Sequence, residues 1–152
     1  MAEWKLPMTG GCRCGRVRIE ISAAPMFTAI CHCTGCQKMT AGAYSTTVAV
    51  PKQGFRVVAG ETAIGGLHGE RLHHEHCEHC KSWIYTHFEP DMGFVNVRAT
   101  MLDDLSWFDA PFVENYTSEA LPWALVPSAV HSFEQFPSMD QYQPMLAEFA
   151  AR

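Results

Sequence analysis

The sequence predicts a mainly β fold of small antiparallel sheets with little helix, and two observations lead to this prediction. Short runs of alternating or β-branched residues are separated by glycine and proline turns, and all seven cysteines fall in three tight clusters. Apolar residues make up 47% of the 152 positions and charged residues 18%, a balance that suits a folded domain and argues against disorder. We therefore expect a single domain over residues 1–152.

The strands are predicted from the side-chain pattern. Apolar and charged residues alternate over residues 16–21, which is the period of a half-buried strand. Residues 44–50 are rich in threonine and valine and end at Pro51. A short apolar run over residues 26–30 leads into the central cysteine cluster. Further strands are predicted over residues 55–59, 83–88 and 94–97.

Helix is predicted at two main places. One or two helical turns over residues 37–42 are expected to end at Gly42. Near the C-terminus a helical face recurs at i, i+3, i+4 and i+7, which places Pro144 in the first turn of that helix. That face consists of Tyr142, Met145, Leu146 and Phe149. Residues 1–9 are expected to form a loose lead-in, and residues 101–104 a turn or short helix.

The cysteine clusters are the strongest functional signal. The central cluster has the spacing C-x-C-x-x-C, the first has C-x-C and the last has C-x-x-C. Their members are Cys31, Cys33 and Cys36, then Cys12 and Cys14, then Cys77 and Cys80. Closely spaced thiols are typical of Zn²⁺ sites. Because a structural zinc takes four ligands, seven thiols indicate one closed four-cysteine site and one three-cysteine site with an open position, which is typical of a catalytic zinc.

Charge and hydropathy exclude some classes of protein. The formal net charge of -5 makes generic nucleic-acid binding a poor hypothesis. No apolar run approaches the roughly 20 residues that a membrane span needs. Residues 1–6 lack the apolar core of a signal peptide, and an odd number of thiols favours a reducing compartment. We therefore expect a cytoplasmic protein.

The sequence resembles the family of glutathione-dependent formaldehyde-activating enzymes, which also includes centromere protein V. The resemblance runs from Gly10 to about Pro137. Its motifs in this chain are Gly10-Gly11-Cys12-x-Cys14-Gly15, Cys31-His32-Cys33-x-x-Cys36-Gln37-Lys38, Ala41-Gly42-Ala43, Val50-Pro51, Phe55, Gly60-Glu61, Cys77-x-x-Cys80, Leu102-Asp103-Asp104 and Pro122-Trp123. Seven cysteines in this order and spacing make the resemblance specific.

The resemblance implies a β-tent fold, built from small antiparallel sheets around two zinc ions. It implies that the structural zinc is held by Cys12, Cys14, Cys77 and Cys80. It implies that the catalytic zinc is held by Cys31, Cys33 and Cys36. In the founding enzymes the second site is associated with joining glutathione to formaldehyde to give S-hydroxymethylglutathione. The open position of such a zinc can accept a thiolate or polarise an aldehyde oxygen.

This chain departs from the family pattern at two places. Lys81 follows the last cysteine, where the family often has glycine. Residues 73–79 are rich in histidine, and this run either binds an extra metal or is solvated.

The cysteine groups and several residues near them each have a second interpretation. The four-cysteine set could be free buried thiols, and the three-cysteine set could be a second structural zinc closed by a histidine or water. His32 lies between two ligands and is expected to support the metal site or lie at the surface rather than to bind the metal. Asp103 and Asp104 resemble a paired-acid site, but a turn cap is the favoured interpretation.

One aromatic set is expected either to pack in the core or to form the wall of a pocket beside the three-cysteine site. It consists of Trp107, Phe108, Phe112, Tyr116 and Trp123.

The leading functional hypothesis is a zinc-dependent carbon–sulfur lyase-type enzyme. It would join glutathione, or a related thiol, to formaldehyde or another small aldehyde. A second hypothesis is a non-catalytic zinc module that binds a protein partner, and a third is a zinc store or redox sensor that uses the three thiolates. The thiol, the aldehyde, the fourth ligand of the second zinc and the oligomeric state are left open by the sequence.

Overall fold

The computed structural model describes residues 4–67 and 69–152. Within these residues the chain forms eleven strands and two α-helices, so the prediction of a mainly β fold with little helix is confirmed. The strands are β1 Met8–Gly11, β2 Arg18–Ile21, β3 Phe27–Cys31, β4 Ser45–Pro51, β5 Phe55–Ala59, β6 Thr62–Ile64, β7 Leu72–Cys77, β8 Trp83–Phe88, β9 Phe94–Arg98, β10 Val113–Asn115 and β11 His131–Ser132. The helices are α1 Thr34–Thr40 and α2 Met139–Ala150.

The strands form two sheets. The smaller has three strands in the order β1-β2-β5 and is antiparallel. The larger has eight strands in the order β11-β10-β3-β4-β9-β8-β7-β6. It is antiparallel except at one end, where β10 runs parallel to both β3 and β11. This parallel pairing brings the segment after residue 112 beside the end of β3, where the central cysteine cluster begins.

The main core joins the two sheets. Ile19 and Ile21 of β2 cluster with valines of the larger sheet, including Val48 and Val97, and all four side chains are buried. Val48 and Val97 are paired across β4 and β9. Because successive side chains of a strand point to opposite faces, the next residue of each strand faces away from this core. The opposite face of the larger sheet is where polar side chains collect.

Helix α2 covers a second, smaller core. Met145 and Phe149 pack against Ala29, Phe112 and Val113, and Tyr142 is partly buried beside them, which confirms three of the four predicted members of the helical face. No helix in the described part of the chain is long and apolar enough to cross a bilayer.

The prediction that Pro144 lies in the first turn of α2 is wrong. The helix begins at Met139, because Ser138 and Gln141 form a capping box there, so Pro144 is its sixth residue. The backbone N–H of Ser138 donates to Gln141 Oε1 at 2.8 Å. Capping therefore sets the start of this helix before the proline, which α2 accommodates in its second turn.

Three other boundaries differ from the prediction. Helix α1 begins at Thr34, and Ala41 (φ 50°), rather than Gly42, provides the left-handed residue that ends it. The expected lead-in over residues 1–9 contains the start of β1, which pairs with β2; residues 1–3 lie outside the described residues. Where a turn or short helix was predicted over residues 101–104, a 3-10 helix over Ala99–Met101 includes only the first of those residues.

Candidate metal centres

The first candidate centre brings together four cysteines from two hairpin turns. Cys12 and Cys14 lie in the turn between β1 and β2, Cys77 is the last residue of β7, and Cys80 lies in the turn between β7 and β8. All four sulfur atoms lie within 4.8 Å of one another. The distance from Cys12 Sγ to Cys14 Sγ is 3.5 Å, and from Cys14 Sγ to Cys77 Sγ it is 3.8 Å.

These sulfur positions fit zinc. With Zn–S bonds of about 2.3 Å, the corners of a tetrahedron lie about 3.8 Å apart. The backbone N–H of Val17 donates to Cys12 Sγ at 3.3 Å, and Ser82 Oγ lies 3.2 Å from Cys80 Sγ. The hydrogen bond with Ser82 is the largest cause that lowers the pKa of Cys80, to about 5. The surroundings therefore favour the thiolate at Cys80, the form of cysteine that binds metal. At Cys14 the backbone hydrogen bond with Arg16 lowers the pKa, but burial and the neighbouring thiols outweigh it and raise the pKa to about 11.

Lys81, which follows the last cysteine, lies at a position where glycine would be unstrained. Its backbone is left-handed, with φ 62°, and its N–H donates to the carbonyl of Cys77 at 2.9 Å. This tight turn places Cys77 and Cys80 side by side. A side chain in the left-handed region costs conformational energy that glycine does not, and this chain tolerates the cost.

The second candidate centre is the central cluster of Cys31, Cys33 and Cys36. Their sulfur atoms also lie within 4.8 Å of one another. Cys31 ends β3, Cys33 caps the start of α1 and Cys36 lies within it. The Cys36 N–H donates to Cys33 Sγ at 3.3 Å. Both cysteine groups could hold zinc, and the second offers three protein thiols rather than four.

The loop that carries this second centre is fastened to residues 114–119. The His32 N–H donates to the Asn115 carbonyl at 3.0 Å, and the Thr34 N–H donates to Glu119 Oε2 at 3.0 Å. Gln37 Nε2 donates to the carbonyls of both His32, at 2.6 Å, and Glu119, at 3.0 Å. The backbone around the three cysteines is thus held in place by hydrogen bonds from outside the cluster.

His32 lies inside the protein. Its side chain is fully buried, and its Nε2 lies 2.7 Å from Glu114 Oε1. Glu114 also accepts hydrogen bonds from the Val126 N–H at 2.8 Å and from Ser132 Oγ at 2.9 Å. Burial raises the pKa of Glu114, but these three hydrogen bonds outweigh it and hold the pKa below its usual value. His32 therefore connects the cysteine loop to a buried carboxylate.

Arg98 is a buried cation beside the second centre. Its guanidinium lies 4.2 Å from the ring centroid of Trp83, and it is paired across the sheet with Thr47, on the face away from the main core. Burial lowers the pKa of Arg98 to about 10, while the charges of Cys36 and Cys31 oppose that shift. Among the ion pairs of the described residues, none joins Arg98 to a carboxylate.

The neighbours of Cys36 lower its pKa. Its hydrogen bond with Cys31 is the largest cause of a pKa lowered to about 6, and the Ser45 hydroxyl and the charge of Arg98 act in the same direction. Ser45 Oγ donates to Cys36 Sγ at 3.1 Å. Cys36 is therefore the thiol of this centre that carries negative charge most readily. The pKa values of the other two are raised, that of Cys31 chiefly by its hydrogen bond with Cys36 and that of Cys33 chiefly by burial.

Buried polar atoms without a hydrogen-bond partner also mark this region. In the described residues they are His32 Nδ1, Asn96 Oδ1, Arg98 Nε and Asn115 Oδ1. His32 lies within the cluster, Asn115 is paired with Cys31, and Asn96 lies on the same face of β9 as Arg98. Unsatisfied buried polar atoms are uncommon, and a polar ligand or water would satisfy them.

Sequence reasoning missed Arg98 and Glu114. Each is a single charged residue in a short strand whose neighbours are apolar or amide side chains. A charge at a position that the strand pattern would bury is the signal that could have identified them.

The other predicted residues lie away from the cysteine centres or at their edge. Asp104 caps a turn by accepting from the Ser106 N–H at 2.8 Å, as predicted, whereas Asp103 forms an ion pair with Arg18. In the aromatic set, Trp107 and Phe108 pack on the main core and Phe112 packs in the smaller one. Tyr116 contacts Phe136, and Trp123 is 79% exposed.

Trp123 lines an open groove of about 460 Å³ beside helix α1, together with Leu121, Gln37 and Lys38. The groove is next to the helix that carries Cys36. A more enclosed cavity, of about 330 Å³, lies between the N-terminal segment and Asp103, on different residues from those of either cysteine group.

Comparisons with known proteins agree with this picture. A search of the curated proteins finds no match. A crystal structure of a Rhodobacter sphaeroides protein is similar in fold, with a TM-score of 0.55 and 19% sequence identity over 65% of this chain and 91% of that chain. The sequence model described as glutathione-dependent formaldehyde-activating enzyme matches residues 7–119 of the 152. The chain therefore belongs to the glutathione-dependent formaldehyde-activating enzyme family.

Proposed function

We propose that the protein is an enzyme that joins a thiol, such as glutathione, to formaldehyde or another small aldehyde at the group formed by Cys31, Cys33 and Cys36. The observation that supports this most directly is a three-thiol group beside Arg98, a buried cation that forms no ion pair with a carboxylate in the described residues. This cation is placed to offset the negative charge that a bound thiolate would add to the three cysteines.

The reaction is an addition and has no leaving group. A carbon–sulfur bond forms between the thiol and the carbonyl carbon, the carbonyl π bond breaks, and the proton lost by the thiol ends on the new hydroxyl. The product is an S-hydroxymethyl thioether when the aldehyde is formaldehyde. A zinc ion held by the three cysteines would supply an open coordination position and Lewis acidity.

Arg98 supplies positive charge where the reaction needs it. Deprotonation of the thiol puts negative charge on sulfur, and the addition step moves that charge to oxygen. A guanidinium held in a buried setting stabilises both charges more strongly than it would in water. Its position is fixed by Trp83, over whose ring it lies at 4.2 Å.

The groove beside α1 is the proposed binding place for the rest of the thiol. Glutathione is an anionic peptide, and Lys38 offers a cation while Gln37 and Trp123 offer hydrogen-bonding and apolar surface. The groove is open to solvent, which suits a cosubstrate that must enter and leave on each turnover.

The direct test compares the wild type with Cys33→Ser in formation of the hydroxymethyl adduct from glutathione and formaldehyde. We expect the wild type to exceed the uncatalysed rate and Cys33→Ser to fall to it. With cobalt in place of zinc, added glutathione should alter the thiolate-to-cobalt absorption of the wild type only. No catalysis and no spectral change, across glutathione and other small thiols, would contradict the proposal.

Arg98 provides a second, independent test. Arg98→Met removes the charge and keeps much of the side-chain volume, whereas Arg98→Lys keeps the charge. A nearby opposite charge is worth about one pKa unit or more, so we expect Arg98→Met to bind thiol at the second centre at least about tenfold more weakly. Arg98→Lys should retain most of the affinity. Equal loss in both variants would mean that Arg98 acts only through packing.

A second candidate function is a zinc module that binds a protein partner. It is favoured by exposed apolar side chains after residue 120, among them Trp123, Leu125 and Phe136. Trp123→Ala distinguishes the two. If the groove binds the thiol, this variant should raise KM for glutathione; if the protein is a non-catalytic module, neither the wild type nor the variant should form the adduct faster than the uncatalysed reaction.

A further inference from the structure

A third group of metal-ligating side chains lies on the β7–β8 hairpin, away from both cysteine groups. His73 of β7 and His87 of β8 are paired directly across the two strands, and their ring centroids lie 5.0 Å apart. Glu89 follows His87 by two residues. One ligand atom from each of these three residues lies within 4.8 Å of the others.

The hairpin also orients one of the imidazoles. Glu75, two residues after His73 and itself buried, has its Oε1 atom 3.0 Å from His87 Nε2. This contact engages Nε2 and leaves Nδ1 of His87 available to a metal. Metal-binding histidines commonly have a carboxylate on the other ring nitrogen, because it fixes the tautomer and the ring direction.

The electrostatic surroundings favour a cation. Glu75 and Glu89 supply two carboxylates, and Asp91 is close enough to His87 to interact with it. Lys52 lies nearby, where it forms an ion pair with Asp91. A divalent ion would offset the negative charge that remains around the two imidazoles.

The position separates this group from the proposed active centre. Val97 is paired with Tyr85, which lies on the same face of β8 as His87, so the group is on the core side of the sheet. Arg98 belongs to the opposite face. Trp83 contacts Arg98 there, because the β7–β8 register shifts between Trp83 and Tyr85 and breaks the alternation of faces. His74 also points to that opposite face, where its Nδ1 lies 2.9 Å from Thr86 Oγ1. Of the histidine run over 73–79, His73 alone thus joins this group.

We propose that His73, His87 and Glu89 form a third metal site, for a divalent transition-metal ion, with Glu75 as the residue that positions His87. Two imidazole nitrogens and one carboxylate oxygen suit Zn²⁺, Co²⁺ or Ni²⁺ and leave coordination positions for water. Bonds of about 2.1 Å span ligand atoms up to about 4 Å apart, so a small side-chain rotation closes the set. Because this site has no thiolate ligands, it binds the metal more weakly than the cysteine groups do. It therefore fills after them when metal is added and empties before them when a chelator is added.

Cobalt titration of the full-length protein, with zinc already in the cysteine groups, tests the site. The wild type should bind one equivalent of Co²⁺ with weak d–d absorption and without the strong thiolate-to-cobalt band. Paramagnetically shifted ring N–H signals of two histidines should appear in the proton NMR spectrum. His87→Ala should abolish both signatures, and Glu75→Gln should weaken binding by about 10–100-fold.

Two further variants are controls, one for misfolding and one for non-specific cobalt binding. Glu89→Gln changes an exposed residue, should fold normally and should weaken cobalt binding at least tenfold. His131→Ala removes another histidine that has a carboxylate neighbour, Glu148 at 2.7 Å, and should bind cobalt like the wild type. Any one of three results would overturn the proposal. These are the absence of an extra bound equivalent of Co²⁺ in the wild type, cobalt binding by Glu89→Gln that is as tight as in the wild type, and an absorption spectrum that shows only the thiolate-to-cobalt band.

Discussion

At the scale of single residues, backbone strain is concentrated near the cysteine groups. Among the described residues, three that are not glycine have a left-handed backbone: Ala41, Lys81 and Tyr116. Ala41 ends the helix that carries Cys36, Lys81 follows Cys80, and Tyr116 lies in the segment that holds the central cysteine loop. Each of these turns positions a metal-binding residue or a residue that supports one. The left-handed backbone at these three side chains costs conformational energy, which the rest of the fold offsets.

Ala41→Gly should stabilise the protein, because glycine removes the strain at φ 50°. The net gain should be about 0.5–1 kcal/mol after the entropy of the unfolded chain is included. This corresponds to a rise in Tm of about 2 °C. Ala151→Gly is the matched control, since Ala151 also ends a helix but has φ -86°; its Tm should not rise. A lower Tm for Ala41→Gly would refute the strain argument.

At the scale of elements, the parallel pairing of β10 with β3 builds the second centre. It brings Asn115 beside Cys31 and lets Glu114 reach His32, which follows β3. The buried carboxylate then connects three segments: the cysteine loop, the backbone at Val126 and strand β11 through Ser132.

Glu114→Gln should lower the free energy of unfolding by about 1–3 kcal/mol at neutral pH, because charged hydrogen bonds to a buried group are weakened. The pKa of Glu114 is lower in the folded protein than the usual value near about 4.3. The stabilisation that the Glu114 carboxylate gives to the folded protein is therefore complete above about pH 5, and it is lost as the pH falls through the folded-state pKa of Glu114. Urea unfolding of both proteins between about pH 7 and 3 should show the difference shrinking with acid. A difference that does not depend on pH would contradict this account.

The sequence predicted those features that depend on residues close together along the chain. Cysteine spacing, the alternation over residues 16–21 and the face of α2 are set by neighbours along the chain, and they were predicted from it. The His32–Glu114 contact spans 82 residues, and Arg98 reaches its place through the register of β4 and β9. Such contacts leave no periodic pattern, so they could not be predicted from one sequence. The grouping of Cys12 and Cys14 with Cys77 and Cys80 was implied only by the family resemblance.

At the scale of the whole molecule, the four-cysteine group connects the two sheets. Cys12 and Cys14 come from the turn of the three-stranded sheet, and Cys77 and Cys80 from a hairpin of the eight-stranded sheet. The Arg13 N–H, which donates to Ser82 Oγ at 3.1 Å, adds a direct contact between the same two turns. A metal ion there would hold the sheets together over the main core.

The same substitution in the two cysteine groups should therefore have unequal effects. Structural zinc contributes on the order of 10 kcal/mol to folding, comparable to the whole stability of a domain. Cys77→Ser should unfold the protein or make it insoluble, whereas Cys33→Ser should keep the far-ultraviolet circular dichroism spectrum and a cooperative melting transition. A soluble Cys77→Ser protein with unchanged Tm and full zinc content would contradict the assigned division between the centres.

The match to the family ends at residue 119, yet Glu114 receives two of its three hydrogen bonds from Val126 and Ser132. The smaller core likewise depends on α2, because Phe112 packs against Phe149. A chain cut after residue 119 would leave this carboxylate short of donors and uncover an aromatic side chain. We therefore expect a chain cut after residue 119 to be less stable than the full chain. In this protein the residues that support the second centre extend past the end of the family match, so substitutions within residues 120–152 should reach that centre from a distance.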